Sequence, residues 1–288
     1  MPCYRPLKAY KQPGGGVAFD SKKGYIDRPV ELPCGGCVGC RMARAKSWAV
    51  RCVHEAQLHE RNCFVTLTYD RSSLPKDGGL HIEHWQNFAK KVRRRLGAFR
   101  FFMCGEYGSE TLRPHFHILF FGLDFPDRMF YKGNGGSRLY TSKVLQEIWD
   151  RGYAPIGDVS VESAAYVARY QVKKQVKKDD TQYLRVDPVT GESWYVRREF
   201  VNMSRRPGIG SGWIEKYKTD VYPSDEVIIN GHRYRPPSFY DSRLSELELR
   251  EVKRRRLAAV DKEHATPERL RDREKVADSR LASLRRSL

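Results

Sequence analysis

Arg113-Pro114-His115-Phe116-His117-Ile118-Leu119-Phe120-Phe121 decides the fold of this 288-residue chain. The run reads as a β-strand, in which side chains alternate between faces. His115 and His117 therefore point one way, while Phe116, Ile118 and Phe120 point the other and anchor a core. Two imidazoles on one sheet face can chelate a single divalent metal. Leu119 and Phe121 share the histidine face, so that side of the sheet is expected to be only partly open.

Working outward, Cys63-Phe64-Val65-Thr66-Leu67-Thr68-Tyr69 is a strand rich in β-branched and aromatic residues, followed by a loop over residues 72–79. Trp85, Phe88, Val92 and Leu96 recur at helical spacing from Ile82 to Leu96. Lys90, Lys91, Arg93, Arg94 and Arg95 fill the rest of that helix as a solvated face or a phosphate contact. Further strands are expected over 99–104 and 154–161, with helices over 142–150 and 162–178. The order β-α-β-β-α-β followed by a helix predicts an α+β fold of the split-βαβ (ferredoxin/RRM-like) kind. Its central antiparallel sheet would carry helices on one face and leave the other to a substrate. This core, residues 61–180, follows a cysteine-rich N-terminal lobe (1–60) whose helix runs from about 41 to 60. Residues 181–240 read as an extension of short strands and aromatics, and 241–288 as a charged helical tail. Thr266-Pro267-Glu268 opens the second of two tail helices, with an N-cap, a first-turn proline and an acid. The tail reads as a solvated appendage.

Lys and Arg total 53 against 35 Asp and Glu, a formal charge of +18, which favours a polyanion such as nucleic acid as partner. No long basic amphipathic helix carries exposed Trp and Leu, which argues against a membrane surface. The start Met1-Pro2-Cys3-Tyr4-Arg5-Pro6 has no apolar core region, so no signal peptide is expected, and no stretch approaches the ~20 apolar residues that a membrane span needs. Three of seven cysteines crowd as Cys34-x-x-Cys37-x-x-Cys40, which reads as metal binding in a reducing, cytoplasmic compartment. That spacing suits a structural Zn²⁺, which wants four ligands.

Two histidines leave a metal shell incomplete, and an oxygen ligand suits Mg²⁺ or Mn²⁺. Glu106, at the end of the adjacent strand in Gly105-Glu106-Tyr107-Gly108, is folded back toward His115 by the hairpin over 109–113. A 2-His-1-carboxylate set also describes non-haem iron oxygenases, but those need no basic faces or paired tyrosines. Tyr166 and Tyr170 lie one helical turn apart, with Lys173, Lys174 and Lys177 continuing the stripe. They are either half-buried core residues or nucleophiles. A tyrosine hydroxyl, with a pKa near ~10, attacks a phosphate only when activated. A metal and a nearby ammonium would supply that activation. The product on DNA would be a 5′-phosphotyrosine and a free 3′-hydroxyl, a linkage that conserves bond energy for rejoining.

In order along the chain, the strand Phe64–Tyr69, the His-Phe-His triplet and Tyr166-x-x-x-Tyr170-x-x-Lys173 resemble the rolling-circle motifs of HUH endonucleases. With Pro33-Cys34-Gly35-Gly36-Cys37-Val38-Gly39-Cys40-Arg41, Gly105–Gly108 and Ser204-Arg205-Arg206-Pro207-Gly208-Ile209-Gly210, residues 1–240 resemble the replication initiators of Microviridae, single-stranded DNA phages, in their gokushovirus branch. The resemblance implies a nickase that starts rolling-circle replication on single-stranded origin DNA with the host replication machinery. It carries the metal role to His115 and His117 and the nucleophile role to Tyr166 and Tyr170. The family's Tyr-x-x-Lys spacing matches Tyr170 and Lys173, so the resemblance implies Tyr170 as the first nucleophile. It also makes Cys3 the fourth zinc ligand, with Cys52 as the rival. An HUH transposase or relaxase shares the chemistry, and a non-catalytic zinc-containing nucleic-acid-binding protein is the alternative of another class. Arg205 and Arg206, in a glycine-rich turn, either hold DNA with Lys174 and Lys177 or are solvated. No P-loop or dinucleotide fingerprint is present, so no nucleotide cofactor is expected. Trp194, Tyr195 and Trp213 either stack unpaired bases or pack.

Overall fold

The computed structural model describes residues 3–108, 111–134, 137–169, 181–259 and 265–283. They fall into two compact units, one of residues 1–44 with 246–288 and one of residues 45–245.

The N-terminal part of the first unit is a small antiparallel sheet. Its strand β1 (Leu7–Lys11) lies between β2 (Val17–Ala18) and β3 (Pro29–Leu32). The cysteine cluster follows and leads into α1 (Val38–Ala56), which starts and ends earlier than its sequence suggests.

The second unit is built on one large sheet. Its strands are β4 (Asn62–Tyr69), β5 (Arg100–Tyr107), β6 (Pro114–Phe121), β7 (Met129–Asn134), β8 (Ser137–Thr141), β9 (Gly152–Tyr153), β10 (Ile156–Gly157) and β13 (Phe200–Met203). The order is β13-β5-β6-β4-β10-β8-β7, with β9 also on β4, and every pair is antiparallel. Helices α2 (Ile82–Leu96), α3 (Lys143–Ile148) and α4 (Val161–Arg169) join these strands. After α4 come the hairpin of β11 (Leu184–Val186) and β12 (Ser193–Tyr195), then α5 (Ser211–Val221). A hairpin of β14 (Val227–Ile229) and β15 (His232–Tyr234) and the short α6 (Ser238–Asp241) end the unit.

The α+β class and the central antiparallel sheet agree with the sequence reading, while three details differ. The second strand continues to Tyr107, because Tyr107 and Glu106 pair with Pro114 and His115, so Glu106 lies within the strand rather than at its end. The fourth strand is confined to Ile156–Gly157, and the β7–β8 hairpin, unanticipated, extends the sheet edge beyond it. Helices cover both faces of the sheet, not one.

The reason for the third difference is apolar surface. One face carries Phe116, Ile118 and Phe120, which α2 covers with Trp85, Phe88 and Val92 and α3 with Leu145 and Ile148. Truncating one such buried phenylalanine costs about 3–5 kcal/mol. The histidine face carries Phe64, Phe102, Cys104, Leu119 and Phe121, which water would solvate at a cost of ~25 cal/mol per Å². Ala45, Ala49 and Cys52 of α1 and Ala164, Val167 and Ala168 of α4 cover them. Small side chains let these helices approach closely. Among the described residues, the His115 side chain at the end of this face keeps 16% of its surface exposed.

In the tail, α7 (Glu246–Ala258) and α8 (Pro267–Ser283) are formed, and Thr266 Oγ1 accepts a hydrogen bond from Arg269 N at 3.4 Å as an N-cap. Most described residues of the tail are exposed. The tail belongs to the compact unit of the N-terminal strands, where Arg5 Nε donates to the buried Glu274 Oε2 at 2.8 Å.

Candidate metal centres and the tyrosine site

Strand register assembles the site. Glu106 on β5 stands directly opposite His115 on β6, and His117 stands between Cys104 on β5 and Thr66 on β4. Directly opposed residues share a face. His115 Nε2 and His117 Nε2 lie 2.7 and 2.8 Å from the same atom, Glu106 Oε1. A third group joins them from α4, where the Tyr166 hydroxyl donates to Glu106 Oε1 at 2.9 Å. Helix α4 is started by a reciprocal cap, with Ser163 N donating to Ser160 Oγ at 3.2 Å and Ser160 N to Ser163 Oγ at 2.8 Å. Its alanine and valine stripe then seats it against the sheet with Tyr166 over His117, the rings 4.9 Å apart and nearly perpendicular.

The donor set fits a divalent cation. His115 Nδ1 lies 3.1 Å from the Arg113 carbonyl oxygen, which can only accept, so Nδ1 carries the proton. Nε2 then faces Glu106 Oε1, as a donor when the ring is protonated and as a lone pair that a cation can bridge when it is neutral. His117 Nδ1 lies 3.0 Å from Thr66 Oγ1, a hydroxyl that can accept the ring proton when Nε2 is given to a metal. Ring-orienting partners of this kind are the usual outer shell of metal-binding histidines. The ligand atoms of Glu106, His115 and His117 all lie within 4.8 Å of one another. Glu106 Oε2 is buried with no hydrogen-bond partner among the described residues, a free acceptor at the same place.

The electrostatics follow from this geometry. Burial alone would raise the Glu106 carboxyl, but its hydrogen bonds from His115 and His117 win and hold it at about 2. Burial lowers His117, partly offset by Glu106. Tyr166 is pushed well above the ordinary phenol range by burial and by the Glu106 charge. Arg169, whose guanidinium carbon sits 5.2 Å from the centre of the Tyr166 ring, opposes that rise.

The second centre lies in the first unit. Cys3, Cys34, Cys37 and Cys40 bring their Sγ atoms within 4.8 Å of one another, with Cys3 and Cys37 Sγ 4.0 Å apart. A tetrahedral Zn²⁺ with Zn–S of ~2.3 Å needs sulfurs about 3.8 Å apart, so the set fits. Four backbone amides support it: Tyr4 and Cys40 donate to Cys37 Sγ, Cys34 to Cys3 Sγ and Cys37 to Cys34 Sγ. Burial opposes thiolate formation at Cys37, yet the amides and neighbouring sulfurs bring it down to about 7. The rival fourth ligand, Cys52, is fully buried beneath the sheet with Phe64 and Phe102 and does not join the cluster.

Other expected residues fall elsewhere. Tyr170, Lys173, Lys174 and Lys177 lie outside the described residues. Arg205 and Arg206 are exposed and follow β13 at its Met203 end, which pairs with Phe102. They are four residues along β5 from Glu106, ~13 Å or more at strand rise, so the structure does not bring them to the metal group. Their turn is held from α1 and β5. Arg51 Nε donates to Ile209 O at 2.9 Å, Gly210 N to Glu55 Oε2 at 2.6 Å, and Arg100 Nη2 to Pro207 O at 2.8 Å. Gly210 has φ 74° beside Arg51 backbone and the Tyr240 hydroxyl, so this position requires glycine. Trp194 donates to Asp77 O and Trp213 stacks on His54, so both pack, while Tyr195 is exposed. On α2, Lys91 and Arg95 pair with Asp150 and Glu147, and Lys90 and Arg94 line a cavity of about 430 Å³ with Trp149. Sequence reasoning missed Thr66 and Arg169 as parts of the site. Thr66 and Thr68 left a signal, as polar positions alternating within an otherwise apolar strand.

Residues 62–175 match the family described as "Replication-associated protein ORF2/G2P", and they include every residue of the histidine–glutamate–tyrosine group. Over 254 residues the chain is 32% identical to "Replication-associated protein VP4" of Bdellovibrio phage phiMH2K, covering 83% of this chain and 76% of the relative. It is 32% identical over 271 residues to "Replication-associated protein ORF2" of Spiroplasma virus 4, covering 85% and 80%. It is 30% identical over 226 residues to "Replication-associated protein ORF4" of Chlamydia phage 1, covering 75% and 54%. No solved structure matches the chain. The chain belongs to the replication-associated proteins of Microviridae-type phages. Among the described residues, no helix is long and apolar enough to cross a membrane.

Proposed function

We propose that the protein is a rolling-circle replication initiator that nicks single-stranded origin DNA through a tyrosine and later rejoins the strand. The observation that carries this reading is the convergence of His115, His117 and the Tyr166 hydroxyl on one oxygen of Glu106. The core strands run β5-β6-β4-β10, the order of a split-βαβ sheet, which supports an HUH-endonuclease-like core. Relatives named replication-associated proteins and the +18 charge support DNA as substrate.

Glu106, His115 and His117 would hold Mg²⁺ or Mn²⁺, which supplies polarisation of the scissile phosphate. Cys3, Cys34, Cys37 and Cys40 would hold a structural Zn²⁺. A tyrosine oxygen attacks phosphorus, the bond to the 3′ oxygen breaks, and that oxygen takes up a proton as the tyrosine loses one. The 5′ end stays on the protein as a phosphotyrosine. Tyr170 takes the first transfer, with Lys173 beside the developing charge, and Tyr166 takes the next. Lys174, Lys177, Arg205 and Arg206 contact DNA phosphates. The work is done in the host cytoplasm with host replication enzymes, and no nucleotide cofactor enters.

The test is covalent capture. Wild-type protein with Mn²⁺ and an end-labelled single-stranded library gives a label that migrates with the protein on a denaturing gel. Tyr170→Phe abolishes or strongly reduces the adduct, and Glu106→Ala removes it. Library DNA that binds without any adduct would replace this reading with a non-catalytic zinc-containing nucleic-acid-binding protein.

A further inference from the structure

The cross-strand row that holds the metal group runs on past β6. Glu106 stands opposite His115, His115 opposite Thr68, and Thr68 opposite Tyr153 on β9. Opposed residues of an antiparallel ladder project to one face, so four strands place these four side chains in line. Exposure climbs along the row. Glu106 is 1% exposed, the His115 side chain 16%, Thr68 half-buried, and Tyr153 68%. At ~4.8 Å per strand, Tyr153 stands two strands and about 10 Å from His115. Thr68 lies between them in the row, and Thr66, two residues along β4, projects to the same face beside His117.

Tyr153 is presented by a rigid backbone. Gly152, with φ 146°, approaches β4 so closely that a Cβ would lie 2.3 Å from Thr68 O and Asp70 N. Asp70 N donates to Arg151 O at 2.9 Å, and the buried Trp149 donates to Thr68 O at 3.2 Å. The tyrosine ring itself has no hydrogen bond, ring contact or cation partner among the described residues. An aromatic side chain on a constrained backbone, left in water and aligned with a phosphate-handling group, is placed to stack an unpaired base.

We propose that Tyr153 is a stacking platform for the base of a nucleotide neighbouring the scissile phosphate, so that single-stranded DNA lies across Thr66 and Thr68 between Tyr153 and the metal group. This rests on the function proposed above. Stacking on a π-face tolerates any base, so the platform sets strand position and preference for unpaired DNA rather than sequence.

The test uses the full chain and a fluorescent oligothymidylate without divalent metal, so that nothing is cut. Tyr153→Ala weakens binding roughly 5- to 150-fold, the range alanine gives at base-stacking aromatics. Tyr153→Phe binds within about twofold of wild type, because the ring and not the hydroxyl acts. An oligonucleotide carrying 5-iodouracil crosslinks to Tyr153 on irradiation, as read by peptide mass spectrometry, a signal that a merely structural role would not produce. Mn²⁺ binding and melting temperature are unchanged in both variants. If Tyr153→Ala binds like wild type and crosslinks map elsewhere, the platform is refuted, whatever covalent capture shows. If wild type forms no covalent adduct yet Tyr153 crosslinks and its alanine variant loses affinity, the platform stands and the nicking reading falls.

Discussion

Replacing Thr66 with valine isolates the contribution of one hydroxyl to the histidine–glutamate centre. Thr66 Oγ1 lies 3.0 Å from His117 Nδ1, and the opposite ring nitrogen lies 2.8 Å from Glu106 Oε1. Valine keeps the branched shape and the strand preference, so the β4 ladder survives. The loss is the acceptor for a ring N–H in a residue only 5% exposed, where water is a poor substitute. An unpaired buried donor costs about 1–3 kcal/mol. Loss of a ring-orienting partner lowers metal affinity about 10- to 100-fold, or ~1.4–2.7 kcal/mol. The two routes agree, so Mn²⁺ titrated calorimetrically into Thr66→Val should bind about 10- to 100-fold more weakly. Thr66→Ser restores the hydroxyl and should restore most of the affinity. If Thr66→Val binds Mn²⁺ as tightly as wild type while melting at the same temperature, the orienting role of Thr66 is wrong.

Cys40→Ser should remove a stoichiometric Zn²⁺ measured by mass spectrometry, and Co²⁺-loaded wild type should show the absorption of tetrahedral thiolate coordination that the variant lacks. His54 is buried, stacked on Trp213 and bonded through Nδ1 to the Tyr240 hydroxyl at 2.8 Å, and burial lowers its pKa to about 3. The unfolded chain, with its histidine near ~6.5, takes up a proton that the folded one refuses. Stability is therefore full above that value and falls by up to about 1.4 kcal/mol per pH unit between roughly 6.5 and 3. Urea melts at pH 7 and 5 should show a smaller pH loss in His54→Phe than in wild type, and equal losses would contradict the assignment. Phe116→Ala, in the fully buried face of β6, should cost about 3–5 kcal/mol by the same melts. Gly152→Ala should shift β9, since its Cβ would meet backbone at 2.3 Å, and so weaken oligothymidylate binding along with Tyr153→Ala.

The metal pair was readable because strand periodicity is a local property. Residues two apart on a strand share a face whatever lies around them, and β6 does place His115 and His117 together. Glu106 was found through the short hairpin that joins its strand to theirs, although the strand proved longer than expected. The cysteine spacing likewise signalled a cluster, and Cys3, distant in sequence, came from resemblance to relatives. The coverage of the histidine face by α1 and α4 was not readable, because helix periodicity gives an apolar stripe without naming the surface it meets. The sequence groups Arg205 and Arg206 with Lys174 and Lys177 as DNA contacts, yet the β13–β5 register sends the two arginines toward the far end of β5 from Glu106.

Local chemistry written along the chain was enough to indicate the α+β class, a basic protein suited to a polyanion, the His115–His117 and Cys34–Cys37–Cys40 groupings, and the helix that carries Tyr166. Cross-strand register and helix packing added the rest: three groups meeting on Glu106 Oε1, Thr66 behind His117, and Tyr153 in one row with Glu106, His115 and Thr68. The division has a physical cause. Alternation and helical spacing are set by backbone geometry over a few residues, whereas neighbours across a sheet are chosen by the burial of apolar surface far away in sequence.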